Sequence, residues 1–464
     1  MRKRIIAVIF QTAALTAGLW GLPSVSQVPV PAISSPLGSM PGIGDLPARP
    51  AMPEVMVMND GRKVTSVEHW KQRREEMKRL LQYYATGAMP PAPGNVKGRA
   101  LKSKTVLDGR VIYQLVHLSF GPSGKLGFDI AIFRPAAGKG PFPTVIFPAG
   151  AAPGATPLPT MVRPPEQGQG LDALAIPLGD QTSRAAAAAS ARSSPAGPGP
   201  FGPPSIDPES AAEMHHALFE RGYALVTYNY QDTGEDTIGR NTDGSWQFRN
   251  TRFFPAYRNY DWGLLGGWAW SISRVVDFIV KLPFVDRTKL IATGHSRLGK
   301  AVLVAGAFDD RIALVAPAGS GAGGTGAWRF NGGDTGKEGL DIMLRKYTNW
   351  FSPNLYQFRG QVEKLPFDQH WFVALAAPRA FLSLEGTEDQ NCVPEAVKQA
   401  YAAAAPAFSL LKASSRLGVS YASHRHAFTA DDWDALLDFA DQQFLGRPVS
   451  RRFSRFPNNN SALP

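Results

Sequence analysis

The stretch that decides the fold is Thr293-Gly294-His295-Ser296-Arg297-Leu298-Gly299-Lys300. It follows an apolar, strand-like run, Lys289-Leu290-Ile291-Ala292, and precedes a helix-like run, Ala301-Val302-Leu303-Val304-Ala305-Gly306-Ala307-Phe308. A tight turn between a buried strand and a helix has no room for large neighbours, so glycines flank the serine and its hydroxyl stays exposed. The helix that follows points its N-terminal amides at the same place, where a developing oxyanion would be held.

This strand, turn and helix are the nucleophile elbow of α/β-hydrolases. The spacing here is G-x-S-x-x-G, because Leu298 stands where the usual elbow has its second glycine. Strand-like and helix-like segments alternate along the chain, which is typical of a mostly parallel sheet with helices on both faces. The sequence therefore predicts an α/β-hydrolase fold, a three-layer sandwich. Predicted helices cover 67–84, 211–221, 263–281, 301–308 and 431–444, and predicted strands cover 111–120, 128–133, 143–147, 223–228, 289–292, 312–316, 380–384 and 418–421.

The N-terminus of the 464-residue chain has the pattern of an export signal. Arg2-Lys3-Arg4 precedes an apolar stretch that ends in small residues near Ser26, which predicts a secretory signal peptide. An uncleaved membrane anchor is the alternative, although polar residues at 11, 12 and 16 dilute the apolar run. The expected organisation is a signal peptide (1–26), an extended lead-in (27–55), a single α/β-hydrolase catalytic domain (56–448) and a C-terminal tail (449–464).

A segment rich in Ala, Gly and Pro interrupts the catalytic domain at about residues 150–210. It is too long for an ordinary connection and too poor in large apolar residues to pack, so we expect a flexible insertion. A lid over the active site is the alternative. The segment leaves the strand at Ile146-Phe147, where hydrolases of this fold usually place an oxyanion-hole donor.

Composition and charge exclude several classes of function. The single cysteine, Cys392, excludes a disulfide framework and a multi-cysteine metal site. The net charge is +11, but no nucleic-acid motif accompanies it, so we expect a solvated basic surface and no nucleic-acid partner. We expect a secreted or periplasmic protein without metal or cofactor and without stable membrane association after signal cleavage.

A serine nucleophile needs a base, and the base needs an orienting acid. In α/β-hydrolases the three follow in the chain order Ser, acid, His. Downstream of Ser296, the histidines are His370, His424 and His426. His426 is the predicted base because it lies after the last predicted strand and just before the final helix, and His424 is its alternative.

The acid is expected in the loop that follows the strand at 380–384. This loop leaves the C-terminal end of a strand, where parallel sheets place their functional groups, and it is rich in carboxylates. Asp389 is the predicted acid, and Glu385 and Glu388 are the alternatives.

The run from Gly294 to Ala301 resembles the signature of the glucuronoyl esterases, carbohydrate esterase family fifteen. Other segments between about 220 and 445 resemble this family in the same order. They are Arg221-Gly222-Tyr223-Ala224, Gly267-Trp268-Ala269-Trp270-Ser271, Asn349-Trp350-Phe351, Pro353-Asn354, Lys364-Leu365-Pro366-Phe367-Asp368-Gln369-His370, Ala377-Pro378-Arg379, Glu388-Asp389-Gln390 and Asp432-Trp433.

The resemblance implies a reaction and a set of roles. In that family a serine attacks the ester between 4-O-methyl-glucuronate on xylan and an alcohol of lignin. The resemblance thus implies Ser296 as nucleophile, His426 as base, Arg297 as oxyanion donor and Lys300 as a substrate contact. The implied partner is a uronic-acid-bearing polysaccharide, glucuronoxylan or a lignin–carbohydrate ester.

The sequence departs from the family pattern at three positions that bear on the site. Gly319 stands where many members have their acid, whereas some bacterial members carry an aspartate after the next strand, as Asp389 does. Asn391 replaces a tryptophan that lies against the sugar, and Asp334 replaces a sugar-binding glutamate, so the resemblance implies that both residues contact the substrate. These departures keep two alternatives open: an esterase for acetyl or other small esters, and a carbohydrate-binding homologue that has lost catalysis.

Overall fold

The computed structural model describes residues 35–150, 153–155, 207–236, 252–330, 338–347 and 349–457. The expected signal peptide, most of the insertion at about 150–210 and Asp334 lie outside these residues. The strands are β1 (Lys97–Val106), β2 (Val111–Phe120), β3 (Leu126–Pro135), β4 (Phe142–Ala149), β5 (Ala224–Asn229), β6 (Val285–His295), β7 (Ile312–Ala318), β8 (Ala380–Gly386) and β9 (Leu417–Ala422). The α-helices are α1 (Val67–Leu81), α2 (Pro208–Met214), α3 (His216–Glu220), α4 (Leu264–Ile279), α5 (Arg297–Phe308), α6 (Leu340–Lys346), α7 (His370–Ala376), α8 (Pro394–Leu410) and α9 (Ala430–Ala440).

The described strands form one sheet in the order β1-β2-β3-β5-β4-β6-β7-β8-β9. In this spatial order, the six strands β5, β4, β6, β7, β8 and β9 pair in parallel. Strands β1, β2 and β3 join them through antiparallel pairs. Helices surround this mostly parallel sheet, and the predicted α/β-hydrolase fold is confirmed. Because all the parallel strands point the same way, the loops that follow β6, β7 and β8 meet at one edge of the sheet.

The predicted elements differ from the observed ones mainly at their ends. The strand predicted over 111–120 is β2 with the same bounds, while the helix predicted over 211–221 is two short helices separated at His215. The helix predicted over 431–444 is α9 followed by a π-helical turn, Asp441–Leu445. The sequence does not predict β1, α6, α7 or α8.

Two close contacts explain why the segment around the elbow is rich in glycine. A Cβ on Gly299 would lie 2.9 Å from the carbonyl oxygens of Ala318 and Gly294, and a Cβ on Gly306 would lie 2.3 Å from the Val315 side chain. Helix α5 therefore packs directly on strands β6 and β7. The buried side chains of these strands each contribute roughly 1.5–3 kcal/mol to the stability of the core, which holds the start of α5 in place.

None of the helices in the described part of the chain is long and apolar enough to cross a membrane.

Candidate active site

Ser296 lies on the turn between β6 and α5 with a strained backbone. Its φ of 57° and ψ of −121° are a conformation that a non-glycine residue seldom adopts. Its backbone N–H donates to the carbonyl of Ala318 over 2.9 Å, which ties the turn to the neighbouring strand. Strain of this kind costs about 1–3 kcal/mol and persists only where the surrounding structure enforces it. Here it places the serine side chain at the N-terminus of α5.

The structure brings Ser296, His426 and Asp389 into one hydrogen-bonded chain. Asp389 Oδ2 lies 2.7 Å from His426 Nδ1, and His426 Nε2 lies 2.8 Å from Ser296 Oγ. An ionised carboxylate only accepts hydrogen bonds, so Nδ1 carries the ring proton and Nε2 accepts from the serine hydroxyl. This tautomer is the one that a general base needs.

The surroundings of Asp389 keep its carboxyl ionised. The residue is 6% exposed, and burial alone would raise its pKa. The hydrogen bonds from His426 and from the backbone N–H of Asn391 outweigh burial, so the pKa of Asp389 lies below its ordinary value. A buried carboxylate facing Nδ1 stabilises the imidazolium that forms when the histidine takes a proton.

The alternative acids and the alternative base lie in other environments. Burial raises the pKa of Glu385 to about 8, and its Oε1 accepts from Ser383 Oγ rather than from a histidine. Glu388 is exposed and accepts from Ser423 Oγ. His424 binds Asp432 across 3.1 Å, beside the capping box of α9. The structure therefore places neither glutamate nor His424 in the hydrogen-bonded chain.

His295 lies against the base and takes up the space beside Gly319. The rings of His295 and His426 are 4.5 Å apart, and burial, with a smaller effect of His426, lowers the pKa of His295 to about 4. A Cβ on Gly319 would lie 3.1 Å from His295 Nε2 and 3.5 Å from Asp389 Oδ2. With φ at +49°, this glycine adopts a backbone conformation that a glutamate rarely takes. The neutral imidazole of His295 thus fills the space beside Gly319.

A cavity of about 430 Å³ opens beside Ser296 and His426. A site of this size suits a sugar-sized ligand. Its wall is mixed, with charged and hydroxyl-bearing side chains facing aromatic rings. Among its lining residues are Tyr230, Lys300, Glu338, Tyr347, Trp350 and Asn391.

Lys300 and Arg297 both lie on the first turn of α5 and reach the cavity. Lys300 is 3% exposed, and its Nζ donates to the carbonyl of Ser320 over 2.6 Å. Burial lowers the pKa of this lysine. The guanidinium of Arg297 is paired with Asp236 and lies over the Trp350 ring, 5.2 Å from the ring centroid. Two cationic groups thus lie close to the nucleophile.

One group of side chains in the described residues has the spacing of a metal site. Ligand atoms of Asp389, Cys392 and His426 lie within 4.8 Å of one another. Both ring nitrogens of His426 are already within hydrogen-bond distance of Asp389 and Ser296. A metal on this group would have to displace the serine or the carboxylate from the imidazole, so the residues do not fit a metal centre.

Comparison with known proteins agrees with this geometry. Residues 184–412 match the family described as "Glucuronyl esterase, fungi". Carbohydrate esterase MZ0003, from an unknown prokaryotic organism, is 26% identical over 85% of this chain and 90% of its own length. The glucuronoyl esterase structure from Caldicellulosiruptor kristjansonii superposes with a TM-score of 0.65, at 26% identity, over 89% of this chain and 97% of that one. The predicted resemblance to the glucuronoyl esterase family is confirmed.

A further relative of this family is a 4-O-methyl-glucuronoyl methylesterase from Podospora anserina. It is 29% identical over 75% of this chain, which spans 57% of that protein's length. With this resemblance the predicted class of enzyme, a carboxylic ester hydrolase, is confirmed.

Several residues that line this cavity are absent from the site predicted from the sequence. Asn391, predicted as a substrate contact, lines the cavity, and Asp334 lies outside the described residues. Glu338, Tyr347 and Trp350 also line it but carry no local motif that names them as site residues. The only sequence signal for this wall is Trp350, which is part of a segment that resembles the family.

Proposed function

We propose that this chain is a serine esterase that cleaves uronic-acid esters, the type that links xylan glucuronate to lignin alcohols. The observation that carries the proposal is the pair of hydrogen bonds that link Asp389 to His426 and His426 to Ser296. They measure 2.7 and 2.8 Å and lie at the edge of a sugar-sized cavity. Ser296 is the nucleophile, His426 the general base and Asp389 the orienting acid. No metal or cofactor takes part.

The first half of the reaction forms an acyl-enzyme. Ser296 Oγ attacks the ester carbonyl carbon while its proton passes to His426 Nε2, and the carbonyl oxygen becomes an oxyanion. Arg297 donates to this oxyanion, from its backbone N–H at the helix N-terminus and from its guanidinium. When the intermediate collapses, the C–O bond to the alcohol breaks and His426 gives its proton to the departing alkoxide.

The second half releases the acid. A water molecule gives a proton to His426 Nε2 and adds to the acyl carbon, and Arg297 again stabilises the oxyanion. Collapse breaks the bond to Ser296 Oγ, which takes the proton back from His426. The products are the uronic acid and a free serine hydroxyl.

The composition of the cavity wall supports a polar, sugar-bearing acyl group. Lys300 and Glu338 supply a cation and a carboxylate that can bind sugar hydroxyls, and the half-buried Tyr347 supplies an aromatic ring. The named relatives include 4-O-methyl-glucuronoyl methylesterases. A polymeric substrate of this kind requires an enzyme outside the cytoplasm, and secretion or periplasmic export through the N-terminal signal is part of the proposal.

A second candidate is an esterase for acetyl or other small esters. Asn391 at the cavity wall is the observation that favours it, because an amide offers no aromatic face on which a sugar ring can stack.

The test compares kcat/KM for benzyl glucuronate and p-nitrophenyl acetate, with Ser296→Ala as control. The proposal predicts a higher kcat/KM for the glucuronate ester and none for the variant with either ester. A higher value for the acetate would support the second candidate. Binding of glucuronate by the wild-type protein without turnover of either ester would indicate a carbohydrate-binding homologue that has lost catalysis.

A further inference from the structure

Asp236, in the loop after β5, links two parts of the cavity wall that lie far apart in sequence. Its side chain is 3% exposed. Its Oδ2 accepts from Arg297 Nη1, and its Oδ1 accepts from Trp350 Nε1 over 2.8 Å. One buried carboxylate thus binds both the arginine beside the nucleophile and an aromatic residue of the wall.

Trp350 is held on several sides. Tyr347 stacks on it with a centroid distance of 3.9 Å and an interplanar angle of 13°. The guanidinium of Arg297 lies 5.2 Å and Lys300 Nζ 5.8 Å from the ring centroid. The hydrogen bond to Asp236 also keeps the Trp350 ring from turning, because a turned ring would take its Nε1 donor away from a buried carboxylate.

The loop that carries Asp236 is itself anchored to the core. Trp268 Nε1 donates to the carbonyl of Gly234 over 2.8 Å. Glu235 pairs with Arg252 over 2.7 Å, with both side chains at most 2% exposed. Asp236 therefore acts from a fixed backbone position, which a residue that positions another side chain needs.

We propose that Asp236 is a positioning residue that holds the Arg297 guanidinium for the oxyanion and compensates its charge. The inference rests on the proposed function, in which Arg297 donates to the oxyanion. An arginine already paired with a carboxylate still offers N–H donors to an ester oxygen. It attracts a free carboxylate less than an unpaired arginine does, so the uronic acid product leaves. Asp236 thereby favours the ester over the acid.

The matched variants are Asp236→Asn, which removes the charge, and Asp236→Glu, which keeps the charge and displaces it by one methylene. Both are expected to lower kcat by roughly 10- to 100-fold through misplaced Arg297 donors, with little change in KM. Only Asp236→Asn is expected to strengthen inhibition by free glucuronate, by roughly 5-fold or more. Equal inhibition constants in wild type and Asp236→Asn would overturn the charge argument. Wild-type kcat in both variants would overturn the positioning argument.

A double-mutant cycle tests whether Asp236 acts through Arg297. We expect Arg297→Gln to lower kcat by roughly 100-fold and the added Asp236→Asn to cost less than a further 3-fold. If Asp236→Asn costs the same factor in both backgrounds, it acts independently and the inference is wrong. The cycle is run on p-nitrophenyl acetate as well as benzyl glucuronate, and urea midpoints are compared to check folding. A wild type that hydrolyses only the acetate would contradict the proposed substrate and still allow this test.

Discussion

Glu385 provides a quantitative test of why the acid of the site is Asp389. The residue lies near the end of β8 with no exposed surface, and Ser383 Oγ donates to its Oε1 over 2.5 Å. Burial raises its pKa from an ordinary value of 4.5 to about 8. A carboxyl that is neutral over this range cannot supply the negative charge that a catalytic imidazolium requires. Replacing Glu385 by Gln keeps the size and the acceptor for Ser383 but removes the ionisation.

The sign of the effect follows from proton binding. Between pH 4.5 and about 8 the unfolded chain has Glu385 ionised while the folded chain keeps it protonated, so the unfolded state binds fewer protons. The free energy of unfolding of the wild type therefore falls as pH rises through this window and levels off above it. The full effect is roughly 5 kcal/mol, of which roughly 3 kcal/mol falls between pH 5 and pH 8.

The assay is urea unfolding of wild type and Glu385→Gln at pH 5 and pH 8. Because other titrating groups cancel in the comparison, the variant should gain roughly 3 kcal/mol over the wild type between the two pH values. Its kcat should stay within about 3-fold of wild type, since Asp389 binds the base. A stability difference that is the same at both pH values would refute the argument that this carboxyl is buried in its neutral form.

Three further substitutions test other parts of the site. Asp389→Asn is expected to lower kcat by roughly 1,000- to 10,000-fold with little change in KM for benzyl glucuronate, while Glu388→Gln changes kcat less than 2-fold; a larger loss of kcat in Glu388→Gln than in Asp389→Asn would move the acid to Glu388. Gly319→Ala is expected to lower the free energy of unfolding in urea by roughly 1–2 kcal/mol, because of its positive φ and the contact with His295; unchanged stability would contradict this. Asn391→Trp should lower KM for the glucuronate ester but not for p-nitrophenyl acetate, and a lower KM for both would contradict a stacking role.

The sequence predicts the central elements well because their burial leaves a clear signal. The strand signals at 289–292 and 380–384 are mostly apolar and buried, so β6 and β8 differ from the prediction only at their ends. β1 is exposed along nearly its whole length and rich in lysine, and it exists because it pairs with β2 at the edge of the sheet. α8 contains Pro406, and alanines occupy both its buried and its solvent-facing sides, so the helical spacing of its buried residues does not stand out in the sequence. Pairing and packing, which local patterns do not record, decide these two elements.

The active site shows the same difference between what local sequence patterns record and what packing decides. The order of serine, acid and histidine and their places after strands follow from the elbow, and the structure brings the three residues together. Choosing between Glu385 and Asp389 requires knowing that one side chain points into the core and the other toward His426. The link from Asp236 to Trp350 spans 114 positions and carries no motif. Such contacts come from tertiary packing alone.

The central claim is that Ser296 is a nucleophile activated by His426. Its most direct measurement is mass spectrometry of the protein after reaction with a fluorophosphonate, which forms a stable bond to an activated serine. The account predicts a single adduct on the peptide that contains Ser296, absent in Ser296→Ala and formed at least about 100-fold more slowly in His426→Ala. An adduct on another residue, or labelling of His426→Ala at the wild-type rate, would contradict it.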